Sequence, residues 1–266
     1  MTNDMIPREI LLYGAYLCIR ATNRGALAPL PLDALAQRIG LANEFSAPPP
    51  TGRGTVAFVR KQSAKAGAIA DEGVRDADVL VHVAAKAEDV VAEFSGEATK
   101  LLDGADARVR TIGGVVRPKA YTGAAMNNFA YAHAVPQTSG ASAPNAFLIP
   151  MTKTAEWWAK DWMERHTFFL PRYDERGRMV AEGHALASAD GISCLMRRTY
   201  KALTEPAPAG DYDFITYFEC ADADVARFHA VCAALRDVKK NPEWAFVREG
   251  PTWHGRRVPT WIAALA

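Results

Sequence analysis

The run Asp213-Phe-Ile-Thr-Tyr-Phe-Glu219 constrains the fold more than any other part of the chain. Its aromatic and β-branched side chains favour a β-strand, and in a strand they face both sides of the sheet. A strand that is apolar on both faces needs cover on both faces. The run therefore predicts a central strand in a layered structure, with other elements packed above and below it.

The segments around this strand predict a β-α-β-β-α-β order, which is the order of a ferredoxin-like module. The predicted strands are Ala146–Ile149, ending at Pro150, Leu195–Leu203, Asp213–Glu219 and Trp244–Val247. The predicted helices are Thr154–His166 and a later one that Asp222 would cap, with Val225, Phe228, Cys232 and Leu235 on its apolar face. The polar segment Arg172–Arg178 is expected to be an excursion from this module.

The first half of the chain has a similar but less regular order. Its predicted strands are Thr55–Val59, Val79–Val83 and Val109–Val116, and Asp89–Leu102 has the pattern of an amphipathic helix. A length of 266 residues suits two such modules packed sheet to sheet. The predicted fold class is therefore α+β, with two ferredoxin-like modules forming an antiparallel α+β barrel.

The predicted domain boundaries follow from this pattern. Residues 1–50 are expected to be a helical extension, because Ile6–Arg20 and Leu32–Leu41 both have helical patterns. Residues 51–140 would be the first module and residues 141–266 the second.

Charge and composition exclude several classes of partner. Lys and Arg number 31 against 30 Asp and Glu, so the net charge is +1 and no basic stripe favours nucleic acid. A small anionic substrate remains open, since it needs only one or two local cations. No apolar run reaches the length of a membrane span. The four cysteines lack the spacing of a zinc site and are interpreted as small buried residues in the reducing cytoplasm.

Common catalytic motifs are absent from the sequence, which lacks a P-loop, a dinucleotide-binding glycine fingerprint, G-x-S-x-G and H-E-x-x-H. Six histidines remain, and composition alone does not rank them. His82 lies in an apolar strand and His229 beside Phe228 on a helix, so both are interpreted as structural. His184 and His166 stay open as candidate ligands.

Four blocks between residues 117 and 255 resemble the chlorite dismutase family. They are Arg117-Pro-Lys-Ala-Tyr121-Thr, Ile149-Pro-Met-Thr-Lys-Thr-Ala-Glu-Trp-Trp158, Asp211-Tyr-Asp-Phe-Ile-Thr-Tyr-Phe-Glu219 and Gly250-Pro-Thr-Trp-His-Gly255. The resemblance implies a heme b protein built from two ferredoxin-like modules. It also implies a homo-oligomer, by analogy with the family's pentamers.

The resemblance further implies an iron ligand and a residue on the opposite face of the heme. In the family, a distal arginine follows the proximal histidine by thirteen positions, and Arg197 follows His184 at that spacing. The corresponding position after His166 is Met179, which favours His184 as the ligand. An imidazole suits heme iron, and the planar cationic fork of an arginine suits an anion at the open iron site.

Three further residues are implied by the same resemblance. Tyr121 and Lys153 match residues that hold the heme propionates, and Trp157 matches an aromatic residue near the heme. The family also has an acid that hydrogen-bonds the proximal histidine. Lys240 stands about where that acid is expected, and Asp237 is one helical turn away.

The expected function is that of a heme b oxidoreductase that decomposes chlorite or a related small oxidant. Peroxidase activity is a related expectation. Two other enzymatic alternatives are heme-dependent aldoxime dehydration and coproheme decarboxylation, the second disfavoured by Arg197. A fourth possibility, motivated by the missing acid, is a non-catalytic heme-binding protein. The longer stretch at Pro171–Gly183 and the altered segment after Arg197 distinguish the chain from the family pattern.

Overall fold

A computed structural model gives the fold and describes residues 12–46, 52–117 and 135–266. The strands in these ranges are β1 (Leu12–Ala21), β2 (Leu41–Asn43), β3 (Gly54–Lys65), β4 (Val79–Ala85), β5 (Ala107–Val116), β6 (Asn145–Lys153), β7 (Arg172–Tyr173), β8 (Met179–Ala181), β9 (Met196–Lys201), β10 (Phe214–Cys220), β11 (Val247–Glu249) and β12 (Thr252–Val258).

The α-helices are α1 (Arg24–Leu27), α2 (Leu32–Ile39), α3 (Glu72–Arg75), α4 (Glu88–Asp103), α5 (Ala155–Ala159), α6 (Trp162–Thr167), α7 (Gly183–Ala187), α8 (Val225–Arg236) and α9 (Trp261–Leu265). Short 3₁₀ helices cover Ala189–Gly191, Asp222–Asp224 and Pro242–Phe246. Within the described ranges, no helix is long and apolar enough to cross a membrane.

Two four-stranded antiparallel units make up most of the ten-stranded main sheet, which also includes the short strands β2 and β11. The first has the order β5-β1-β4-β3 and the second the order β9-β10-β6-β12, and both are the strand order of a ferredoxin-like module. Pairing of β3 with β12, and of β5 with β9 at Val115 and Lys201, joins the units into a closed barrel. The predicted α+β fold of two ferredoxin-like modules is therefore confirmed.

The barrel separates three apolar cores. The interior contains aromatic side chains from both modules, among them Tyr16, Tyr217 and Trp253. The outer face of the first module is covered by α2, α4 and the C-terminal helix α9. The outer face of the second module is covered by α7 and α8. Each sheet is thus buried on both sides, as the apolar strand β10 requires.

The prediction of a helix over Ile6–Arg20 is wrong for its described part, because residues 12–21 form the central strand β1. Leu17 and Ile19 face the outer core of the first module, whereas Tyr16 and Cys18 face the barrel interior. A strand buried on both faces has no polar alternation, so its sequence pattern resembles that of a buried helix. Residues 12–46 therefore belong to the first module and are not a helical extension.

The end of the second module also differs from the expectation. Trp244–Val247 was predicted as a strand, but Pro242–Phe246 is a 3₁₀ helix and the fourth strand of the module is β12. Strand β6 continues through Pro150, whose carbonyl oxygen accepts a hydrogen bond from Gly250 N–H. Proline is compatible with this position because only its carbonyl is needed there.

Two smaller differences concern helix ends. The predicted helix Thr154–His166 is divided into α5 and α6, because Asp161 caps a new helix start by accepting the N–H of Glu164. Asp222 does not cap α8, since its carboxylate accepts from Asn145 Nδ2 and from Arg256 instead.

The expected excursion before His184 is a small hairpin. Strands β7 and β8 form a separate two-stranded sheet, and Asp174 in the turn accepts N–H groups of Arg176 and Arg178. The hairpin leads directly into α7, so it determines how the chain enters the helix that carries His184.

Candidate functional site

His184 lies in the first turn of α7, at a point where the backbone is tightly held. The preceding Gly183 has a φ of +69°, and a Cβ there would lie 2.4 Å from the carbonyl oxygen of Leu170. Only glycine fits both conditions without strain. The N–H groups of Glu182 and Gly183 both donate to the carbonyl oxygen of Lys240, at 2.9 and 3.0 Å. The imidazole therefore stands on a backbone anchored to two neighbouring segments.

A buried carboxylate lies next to the imidazole. Nδ1 of His184 donates to Oε2 of Glu243 at 2.7 Å, and Nζ of Lys153 donates to Oε1 of the same carboxylate at 2.5 Å. The side chains of Lys153 and Glu243 are each 3% exposed, and that of His184 is 19% exposed. We call this arrangement the Lys153–Glu243–His184 chain.

The Lys153–Glu243–His184 chain determines which nitrogen of the imidazole carries the proton. A carboxylate paired with an ammonium group accepts hydrogen bonds, so the proton of a neutral His184 lies on Nδ1 and the lone pair on Nε2. A carboxylate on Nδ1 also makes the imidazole a stronger donor to a metal. Burial lowers the pKa of Lys153, while the attraction of Glu243 opposes that shift.

Strand β6 and helix α5 position Lys153. Its backbone N–H donates to Oδ2 of Asp213 at 2.7 Å, and its ammonium lies 4.2 Å from the ring centroid of Trp157. Trp157 is fully buried, with ring centroids of Phe168 and Phe246 at 5.6 and 5.7 Å. The ammonium that the resemblance linked to a heme propionate thus faces Glu243, behind His184.

Arg197 lies on the sheet face that α7 covers. It is directly opposite Phe218 on β10, and Phe218 is in turn opposite Phe147 on β6. Directly opposite residues share a sheet face. Phe218 and Phe147 belong to the same core cluster as Ala187 of α7. The side chain of Arg197 is exposed, whereas the next residue, Arg198, points to the barrel interior.

The other candidate residues have different positions. Tyr121 lies outside the described residues. His166 lies in α6, and its buried Nδ1 has no hydrogen-bond partner in the described part of the chain. His82 is fully buried in the barrel, where its Nε2 is 2.9 Å from the Tyr200 hydroxyl. The four cysteines form no disulfide.

Glu243 is the residue of the candidate site that sequence reasoning missed. Counting along the last helix pointed to Lys240 or Asp237, but the acid comes after the helix, in the 3₁₀ turn Pro242–Phe246. The available signal was an acidic residue between Pro242 and Trp244, next to an apolar run, where a carboxylate would be buried and would need a partner.

The closed barrel of two ferredoxin-like modules, with a histidine-bearing helix on one outer face, places the chain in the class of α+β barrel folds. Within this class, the chain has the fold of chlorite dismutases. It is similar to a tryptophan-to-phenylalanine variant of chlorite dismutase from Candidatus Nitrospira defluvii in complex with cyanide, with a TM-score of 0.66 and 20% identity, over 96% of this chain and 93% of that one.

The same enzyme in complex with imidazole is similar to this chain with a TM-score of 0.65 and 21% identity, over 96% of this chain and 93% of that chain. At this identity the likeness defines the fold alone. No protein-family model and no curated protein matches the sequence.

The donor set fits a heme. Heme iron needs only one axial protein ligand, and a histidine with its Nδ1 on a carboxylate is well suited to that role. His184, with its Nε2 free of the carboxylate contact, is the described residue that would hold the iron of such a group.

Proposed function

We propose that this chain binds heme b and is an oxidoreductase of the chlorite dismutase type. The observation that carries the proposal is the Lys153–Glu243–His184 chain, which prepares a histidine for metal binding on the same module face as Arg197. When bound, the heme supplies an iron centre that can exchange electrons with a small oxidant. The protein's own side chains would hold the heme, orient its ligand and bind the substrate.

The role of Glu243 is to hold the proton on Nδ1 of His184 and to give the ring a fixed orientation. Lys153 balances the charge of Glu243 inside the fold, so the carboxylate stays ionised without exposure to water. We regard Lys153 and Glu243 as positioning residues that act through His184. Trp157 completes the apolar wall beside Lys153, and Tyr121 is proposed to bind a propionate.

Arg197 is proposed to bind the substrate. Its guanidinium is cationic at any working pH and offers several donors in one plane, so it can hold a small anion such as chlorite beside the iron. The same guanidinium would hold the chlorine-containing anion in place throughout the conversion of chlorite to chloride and oxygen, which limits its escape into solvent.

The structure of the site weakens the argument for a non-catalytic heme carrier. That alternative was motivated by the lack of an acid near His184, and Glu243 now supplies one. We also propose that the protein works in the cytoplasm, as a homo-oligomer, on a small anionic oxidant.

Oxygen release from chlorite tests the proposal. Heme-loaded wild-type protein, Arg197→Ala and Arg197→Lys would be compared in an oxygen-electrode assay, with Arg108→Ala, which removes an exposed strand arginine of the first module, as the matched control. We expect Arg197→Ala to reduce kcat by about 100-fold or more, and Arg197→Lys to retain part of the activity.

Arg108→Ala should match the wild type. A heme-loaded wild type that releases no oxygen would exclude chlorite decomposition, and turnover with simple aldoximes would then be measured. Full activity in Arg197→Ala would remove Arg197 from the mechanism.

A further inference from the structure

A cavity with a mixed polar and apolar lining lies at one end of the barrel, between the first module and Arg198 of β9. It has a volume of about 370 Å³, which is within the range of small-molecule sites. Arg53, Thr55, Lys86, Gln137 and Arg198 contribute its polar lining, and no acidic side chain of the described residues lines it. Arg53 also forms ion pairs with two exposed acids outside the lining, Asp89 at 3.8 Å and Glu93 at 3.6 Å. The lining therefore contains three cations and an amide, with Arg53 partly balanced by its neighbours.

Two residues of the lining contain unsatisfied donors. Nη2 of Arg198 donates to Oε1 of Gln137, which orients the amide. Nη1 of Arg198 and Nε2 of Gln137 are both buried and have no hydrogen-bond partner in the described ranges. Buried donors without partners are costly, so a ligand group that reaches these two atoms would gain their hydrogen bonds.

The charge of Arg198 is only partly balanced. Glu44 lies 3.5 Å from Nη1 of Arg198, but the same carboxylate also faces Arg257 at 3.6 Å and accepts the Thr55 hydroxyl at 2.5 Å. One buried carboxylate is thus shared between two guanidinium groups. Glu219, which does not line the cavity, pairs with Arg257 at 2.9 Å and also attracts the charge of Arg198.

The other walls of the cavity are small and apolar. Leu12, Ala84, Ala85 and Val90 line it, together with two glycines of the segment before β3. These walls suit a compact apolar body, whereas the cationic end suits a carboxylate.

The geometry points to a binding site for a small organic carboxylate, with its anionic group at Arg198 and Gln137 and its apolar body against Ala84 and Val90. The site is separate from His184, because Arg198 and Arg197 project from opposite faces of β9. It does not require heme. Arg53 and Lys86, at exposed positions, would attract the anion to the entrance.

Calorimetric titration with benzoate tests the site. The full-length proteins would be the wild type, the double variant Arg53→Ala/Lys86→Ala and Gln137→Leu. Arg108→Ala/Lys100→Ala removes the same charge from exposed positions of the same module outside the cavity and serves as the control. A further variant, His184→Ala, removes the proposed iron ligand. Comparing it with the wild type distinguishes benzoate binding at iron from benzoate binding in the cavity.

We expect one benzoate per chain in the wild type, the control and His184→Ala, with binding weakened at least tenfold in both cavity variants. Inorganic phosphate should bind more weakly than benzoate, because it leaves the apolar walls uncovered. The proposal is overturned if benzoate does not bind, if His184→Ala abolishes binding, if the control weakens it as much as the cavity variants, or if phosphate binds as tightly.

Discussion

Replacing Glu243 with Gln tests the site most informatively, because it keeps the shape of the side chain and removes its charge. The substitution leaves the ammonium of Lys153 in a position where only 3% of the side chain is exposed. Breaking a buried ion pair by removing one partner costs about 3–5 kcal/mol. The loss in the free energy of unfolding has an upper limit, because Lys153 can release its proton rather than stay charged without a partner.

That limit follows from the ordinary pKa of lysine. Deprotonating a lysine with a pKa of about 10.4 at pH 7 costs about 5 kcal/mol. Glu243→Gln should therefore lower the free energy of unfolding by about 3–5 kcal/mol at pH 7. In the variant, the folded-state pKa of Lys153 falls below its unfolded value. The folded protein then binds fewer protons, so the deficit should shrink as the pH rises from 7 toward 10.

The assay is urea unfolding of the heme-free protein at pH 7 and pH 9.5, for the wild type, Glu243→Gln and Lys153→Met/Glu243→Gln. The double variant removes both charges and should recover most of the lost stability. With heme bound, Glu243→Gln should also raise the ferric/ferrous midpoint potential, because the imidazole donates less electron density. A deficit below about 1 kcal/mol, with no recovery in the double variant, would refute the proposed role of the buried pair.

Two further predictions concern the backbone before His184 and the buried acid in the barrel. Gly183→Ala should destabilise the protein by about 2 kcal/mol or more and weaken heme binding, because the left-handed backbone and the Leu170 carbonyl oppose a Cβ. Urea unfolding and heme titration measure both effects, and unchanged values would contradict the account. Burial raises the pKa of Glu219 to about 7, so the folded state holds this proton more tightly than the unfolded state. The wild type should therefore lose stability relative to Glu219→Gln as the pH rises from about 4.5 to 7, by about 3 kcal/mol in all. Parallel pH profiles for the two proteins would rule this out.

The segments with the clearest composition or periodicity could be predicted from the sequence. Strands β4 and β10 occupy nearly the predicted ranges because they are rich in β-branched or aromatic residues, and helix α4 does so because its apolar residues repeat at helical spacing. Strand β1 could not be told from a helix, since both of its faces are buried and its apolar run has no period of two.

The site was only partly accessible to sequence reasoning. The spacing of His184 and Arg197, together with the block around Lys153, pointed to the module in which the Lys153–Glu243–His184 chain lies. Glu243 was missed because its contact with His184 depends on two separate connections, the hairpin before α7 and the turn after α8. Neither connection has a periodic pattern, so the distance between the two residues could not be counted along the sequence.

Heme titration monitored by the Soret band tests the central claim most directly. The proteins are the wild type, His184→Ala and His166→Ala, and the second histidine serves as a control on a neighbouring helix. The account predicts that the wild type and His166→Ala bind one heme per chain with a histidine-ligated spectrum, and that His184→Ala loses it. Loss of that spectrum in His166→Ala alone, or no stoichiometric binding by the wild type, would contradict the assignment of His184 as the iron ligand.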